Sequence, residues 1–91
     1  MTDEEKKVAE IREKHPAVDP KALDEFRAAL GTRHEVVDKF LDTEDYKALP
    51  FLEQEFLRIQ RDAIRAVLVA ANLQAECIAQ TTPKPEAQPA Q

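Results

Sequence analysis

The sequence predicts an all-α fold, an antiparallel helical hairpin with a short N-terminal helix, assembling into a helical bundle. Three observations carry this. Leu52, Phe56, Ile59, Ala63, Ala66, Ala70, Leu73 and Cys77 recur in steps of four and three, an unbroken heptad seam of eight positions. Prolines punctuate the chain at 16, 20 and 50 and again beyond 82, leaving long stretches free of them. Two helix-start signals stand side by side at Asp19 and Pro20. Residues 1–80 then form one helical domain, with helices over about 3–14, 20–41 and 50–79, and 81–91 form a disordered proline-rich tail.

The elements follow in order. Thr2 with Glu5 three residues later fits a capping box, and the acids Asp3, Glu4 and Glu5 suit a helix N-terminus, so a first helix runs from about Asp3 to Lys14. Val8 and Ile11 are its only apolar stripe, too little to hold it alone. His15 and Pro16 stop it, because a proline pushes the preceding residue out of the helical region. Asp19 caps the second helix and Pro20 takes its first position. Leu23, Phe26, Leu30, Val37 and Phe40 give that helix an apolar face, interrupted at Arg33. Gly31 sits inside it as a tolerated defect, unless a neighbouring backbone comes close or the helix bends there.

A short linker from Asp42 to Leu49 follows, in which Thr43 caps a single turn containing Tyr46 and returns the chain antiparallel. Pro50 sets the first turn of a third helix that meets no further proline or glycine before about Ala79. The tail from Thr81 to Gln91 holds three prolines and no large apolar side chain, a composition that leans to extended, solvated chain.

The third long helix carries more apolar surface than one partner can cover. Beside the heptad seam runs a second stripe, Leu57, Ile64, Ala71 and Ile78 at seven-residue spacing, with Val67, Leu68 and Val69 widening it. A helix apolar on most of its circumference belongs in an interior. Helix two covers one stripe; the rest requires either that the first helix folds back as a roof or that copies of the chain meet. Self-association is the expected outcome, as a dimer or a higher oligomer, through Leu57, Ala63, Ile64, Ala66, Val67, Ala70, Ala71, Leu73 and Ile78.

Composition removes whole classes of chemistry. With 91 residues the chain has room for a single core. Serine is absent, so there is no serine nucleophile, and one glycine rules out glycine-rich phosphate cradles. A lone cysteine excludes a disulfide framework and multi-cysteine zinc sites. A formal net charge of -5, with no basic block anywhere, argues against nucleic-acid polymers and anionic membrane surfaces as partners. The acidic start has no apolar run behind it, so no secretory signal is expected. The apolar-rich stretch from Ala63 to Leu73 is broken by Arg65 and Asn72 and falls short of the roughly 20 residues that span a bilayer. The cytoplasm is the expected location.

Few residues carry candidate chemistry. Arg58, Arg61 and Arg65 share one side of the third helix, where planar guanidinium groups suit bidentate binding of phosphate or carboxylate. Glu55 and Asp62 lie within one turn of them, so solvated ion pairs are the plainer expectation. His34 and Asp38, with Glu35 beside them, have a spacing open to a divalent metal, but so few ligands do not define a site. A surface histidine is expected there, and His15 is expected at a helix end near terminal carbonyls. Cys77, a seam residue, reads as a small hydrophobe. Phe40, Tyr46, Phe51 and Phe56 gather at the turn before the third helix, as a core plug or as a stacking surface for a base or peptide side chain. With no convergent nucleophile, base or metal cluster, neither an enzyme nor a cofactor is expected.

The order Val36-Val37, Phe40-Leu41, Tyr46, Leu49-Pro50, Glu53-Gln54, Leu57 and Gln60 resembles a group of small helical-hairpin proteins encoded by bacteriophages and prophages, largely without assigned function. The resemblance spans roughly residues 33–78. It implies a phage origin and a location in the host cytoplasm. The expectation is then a non-enzymatic, phage-type helical interaction protein that self-associates through its third helix and engages a host or phage protein. The alternative is a counter-defence protein that sequesters a cyclic nucleotide signal, with Arg58, Arg61, Arg65 and Tyr46 supplying phosphate and base contacts.

Overall fold

The computed structural model of the protein describes residues 2–81. Four helices and a short 3-10 turn make up nearly all of it, and no strand occurs among the described residues. Helix α1 spans Asp3–Lys14, and its capping box is formed as the spacing demands: Thr2 Oγ1 accepts from the Glu5 amide at 3.1 Å while Glu5 Oε1 accepts from the Thr2 amide at 3.0 Å. The reciprocal bond to Thr2 holds the Glu5 carboxyl below its ordinary pKa. At the other end His15 is the C-cap, its amide donating to the Ile11 carbonyl.

A single 3-10 turn, Pro16–Val18, then turns the chain into α2, Pro20–Leu41. Asp19 accepts from the Ala22 amide at 3.1 Å, and Pro20 opens the helix because its missing N–H is not needed there. Gly31 has room around it: a Cβ there would meet nothing within 4 Å, so neither a close backbone nor an unusual φ explains it.

The turn after α2 is tightly tied. Thr43 caps α3, Glu44–Ala48, accepting from the Tyr46 amide and donating its own hydroxyl to the Phe40 carbonyl. Tyr46 is buried edge-on against Phe40 and donates its hydroxyl to the Gln54 carbonyl at 3.2 Å. Helix α4 runs from Phe51 to Thr81, one residue later at its start and two later at its end than its sequence signals imply. The Pro50 carbonyl takes the Gln54 amide, so the proline sits just outside the helix rather than in its first turn. The tail expected to be disordered lies, beyond Thr81, outside the described residues.

Helices α2 and α4 face each other along their length. Polar links step backwards along α4 as α2 advances: Arg27 to Asn72, His34 to Arg65, Asp38 to Arg61. Under those links lie Leu23, Val37, Ile64, Ala71 and Ile78, which with Tyr46 are the buried core among the described residues, none of them below 2 % exposure. Helix α1 contributes no buried residue and leaves Val8 and Ile11 exposed. Its hold on the rest runs through Arg12, which reaches the Ile78 carbonyl and the Thr81 hydroxyl.

The chain is therefore thin. Its extents are 58 × 31 × 15 Å and its radius of gyration is 19.0 Å, whereas a compact chain of this length has about 12 Å. A core so small, one helix layer deep, lacks the second packed layer that domains ordinarily have.

Candidate interaction face

The two apolar stripes of α4 part company in the structure. Ile64, Ala71 and Ile78 are buried under α2, and Leu57 is half-buried there. Arg61, Leu68 and Ala75 lie on the same side, half-buried, completing a heptad row of their own. The other row is bare: Leu52 is 65% exposed, Phe56 63%, Ile59 60% and Leu73 60%, with Ala63, Ala66, Ala70 and Cys77 open between and beyond them. The two rows are offset by two residues, about 200° around a helix at 3.6 residues per turn, so a helix covering one cannot reach the other.

This divides the nine residues expected at a subunit interface. Leu57, Ile64, Ala71 and Ile78 are engaged within the chain and are not open to a partner; Ala63, Ala66, Val67, Ala70 and Leu73 are exposed. The physical reason is that both rows satisfy a helical partner's period, and α2 takes the one whose neighbours match its polar groups. Arg33 donates to Gln60 and Arg27 to Asn72, fixing the register from the flanks. A roof formed by α1 is absent, as Val8 and Ile11 themselves remain exposed.

Two further exposed apolar side chains stand on α2. Phe26, 48% exposed, lines a groove with Pro16, Ala17, Leu23 and Gln74 at one end of the helix pair. Val36, 55% exposed, lines a second with Phe40, Glu53 and Leu57 at the other. Both grooves are lined by core residues, Leu23 in one and Val37 with Leu57 in the other, and so lie on the α2 side of α4.

The arginines are paired rather than poised. Arg58 meets Glu55 at 2.8 Å; Arg61 meets Asp62 at 3.2 Å and Asp38 at 3.9 Å; Arg65 lies 3.6 Å from Asp38 and donates from Nε to His34 Nε2 at 3.0 Å. That last bond needs the neutral imidazole with its proton on Nδ1. Asp38 thus bridges helices, a partnership no spacing within one helix reveals. Glu35, the third member of the proposed metal spacing, is held instead by Lys39 at 2.7 Å. The hydrogen bond between them, and then their mutual attraction, lower the pKa of Glu35 and raise that of Lys39.

Tyr46 packs its ring under Phe40 and spends its hydroxyl on Gln54, which lies one turn before Arg58 but eleven residues, roughly 16 Å at 1.5 Å per residue, before Arg65. Neither groove includes Arg58, Arg61, Arg65 or Tyr46. Gln54 is the residue whose role sequence reasoning missed: its side-chain amide donates to the Lys47 and Leu49 carbonyls, closing the turn into α4.

Compared with protein-family models, with curated proteins and with solved structures, the chain finds no match. Among the described residues, no helix is long and apolar enough to cross a membrane. What the molecule presents is therefore read from its own geometry, and the bare α4 row is its most prominent feature.

Proposed function

We propose that this chain is a non-enzymatic helical interaction protein that self-associates through α4, two α2–α4 hairpins joining into a helical bundle. One observation carries the reading: α2 covers one apolar row of α4, and nothing among the described residues covers the other. A soluble monomer rarely leaves so long an apolar stripe in water. Burying each large side chain returns about 1.5–3 kcal/mol when exposure is lost completely, and less from the partial exposure seen here. Association costs several kcal/mol in lost freedom, which places dimerisation in a concentration-dependent range rather than an irreversible one.

The likeness of residues 33–78 to phage-encoded hairpin proteins supports a phage origin, a site of action in the host cytoplasm and a host or phage protein as the eventual partner. The assembled dimer keeps its acidic outer faces in water, since the Arg58, Arg61 and Arg65 charges are met by Glu55, Asp62 and Asp38. The test is a surface variant. Ile59→Glu with Leu73→Glu places charges on side chains that are 60% exposed in the subunit, so helix content by circular dichroism should persist while sedimenting mass falls to that of one chain. A variant that keeps the mass of the native assembly would overturn the reading.

A further inference from the structure

We infer that the second copy docks antiparallel on α4, about a twofold axis between Ala63 and Ala66, with Leu52 of each copy against Cys77 of the other. Phe56 then meets Leu73, and Ile59 meets Ala70. This rests on the self-association proposed above and adds its direction and register.

The argument is one of size. The bare row is bulky in its first part, Leu52, Phe56 and Ile59, and small in its second, where only Leu73 interrupts Ala63, Ala66, Ala70 and Cys77. A parallel pairing sets Phe56 on Phe56 and Ile59 on Ile59, then alanine on alanine one turn later, so the helix axes must separate and close within a few residues. The antiparallel pairing sets the bulky part over the small part and leaves the closest approach at the central alanines.

Antiparallel docking sends the two N-terminal segments, which reach the far end of α4 through Arg12 and through Gln74 to the Ala17 carbonyl, to opposite ends of the dimer. The exposed side chains of the row itself amount to on the order of 600 Å² per copy, the lower end of what a specific interface buries on each partner.

Charge on the rim permits this arrangement. On the α2 side, Glu53 faces Gln74 and Gln60 faces Val67, so no like charges meet. On the other side Glu55 faces Glu76, but Glu55 is held by Arg58 at 2.8 Å, and an exposed rim pair of this kind weighs little.

Cys77, the chain's one cysteine and an exposed one, makes the test direct. The native chain, Leu52→Cys, and Leu52→Cys with Cys77→Ala are oxidised with copper-phenanthroline, with sedimenting mass measured in parallel under reducing conditions. Leu52 is 65% exposed, so its replacement leaves the fold intact. The expected result is a disulfide-linked dimer for Leu52→Cys as the dominant product, and only traces for the other two chains. Ready cross-linking of the native chain through Cys77 would overturn the antiparallel direction while leaving self-association standing. A dimer in which none of the three chains cross-links would overturn the register. A native chain that sediments as one copy would overturn both this inference and the function on which it rests.

Discussion

Ile59 and Ile64 stand five residues apart on α4 and face opposite ways: Ile64 is 7% exposed beneath α2, and Ile59 is 60% exposed to solvent. The same residue type on the same helix thus serves two different tasks. Ile64→Ala should cost about 2–5 kcal/mol of folding stability, because it opens a cavity in a core with few other members. Ile59→Ala should change the stability of the isolated subunit by under about 0.5 kcal/mol, yet weaken self-association by about tenfold, near 1.4 kcal/mol. Urea denaturation at low and high protein concentration separates the two effects.

Tyr46→Phe isolates the turn. The ring and its edge-on contact with Phe40 remain, and only the bond to the Gln54 carbonyl is lost. The expected cost is about 0.5–1.5 kcal/mol, read as a lower urea midpoint with an unchanged slope. Sedimenting mass should not change, since Tyr46 is buried within the subunit.

Gly31→Ala should stabilise the chain by about 0.4–1 kcal/mol, since the new methyl meets open space and the unfolded chain loses conformational freedom. Thermal melts of the two chains at equal concentration report it. A loss of stability instead would mean that another backbone occupies that space in the assembled state.

The N-terminal cap responds to acid. Glu5 has a pKa lowered by its bond to the Thr2 amide, so the help it gives α1 is complete above the ordinary glutamate value of about 4.3. That help is lost as pH falls through the lower folded value. Amide protection in α1, measured relative to the unfolded chain at the same pH, should therefore fall on acidification, and less so in Glu5→Gln, while Ile64 and Val37 in the α2–α4 core stay protected. Helix α1 can respond alone because none of its residues is buried.

Much of this architecture is written locally, and the rest is not, for a physical reason. Thr2, Asp19 and Thr43 each cap a helix through a bond to an amide three residues on, so nearby spacing suffices to find all three. The two apolar rows of α4 were equally legible, because period depends only on α4 itself. Which row α2 takes was not, since it is decided by Arg33 with Gln60, Arg27 with Asn72 and Asp38 with Arg61, pairs separated by 23 to 45 residues. The same holds for Tyr46: its place at the turn follows from spacing, but the choice between a plug and a stacking surface waits on where Gln54 puts its carbonyl. Cys77 kept its seam position yet lies open in the subunit, because a seam residue is buried only when the matching helix arrives.

The most direct measurement is sedimentation equilibrium of the native chain from low to high micromolar concentration. The account predicts a mass that rises with concentration from 10.3 kDa toward that of two copies. A mass that stays at 10.3 kDa throughout would contradict it, for the bare row of α4 would then be stable in water with no second copy upon it.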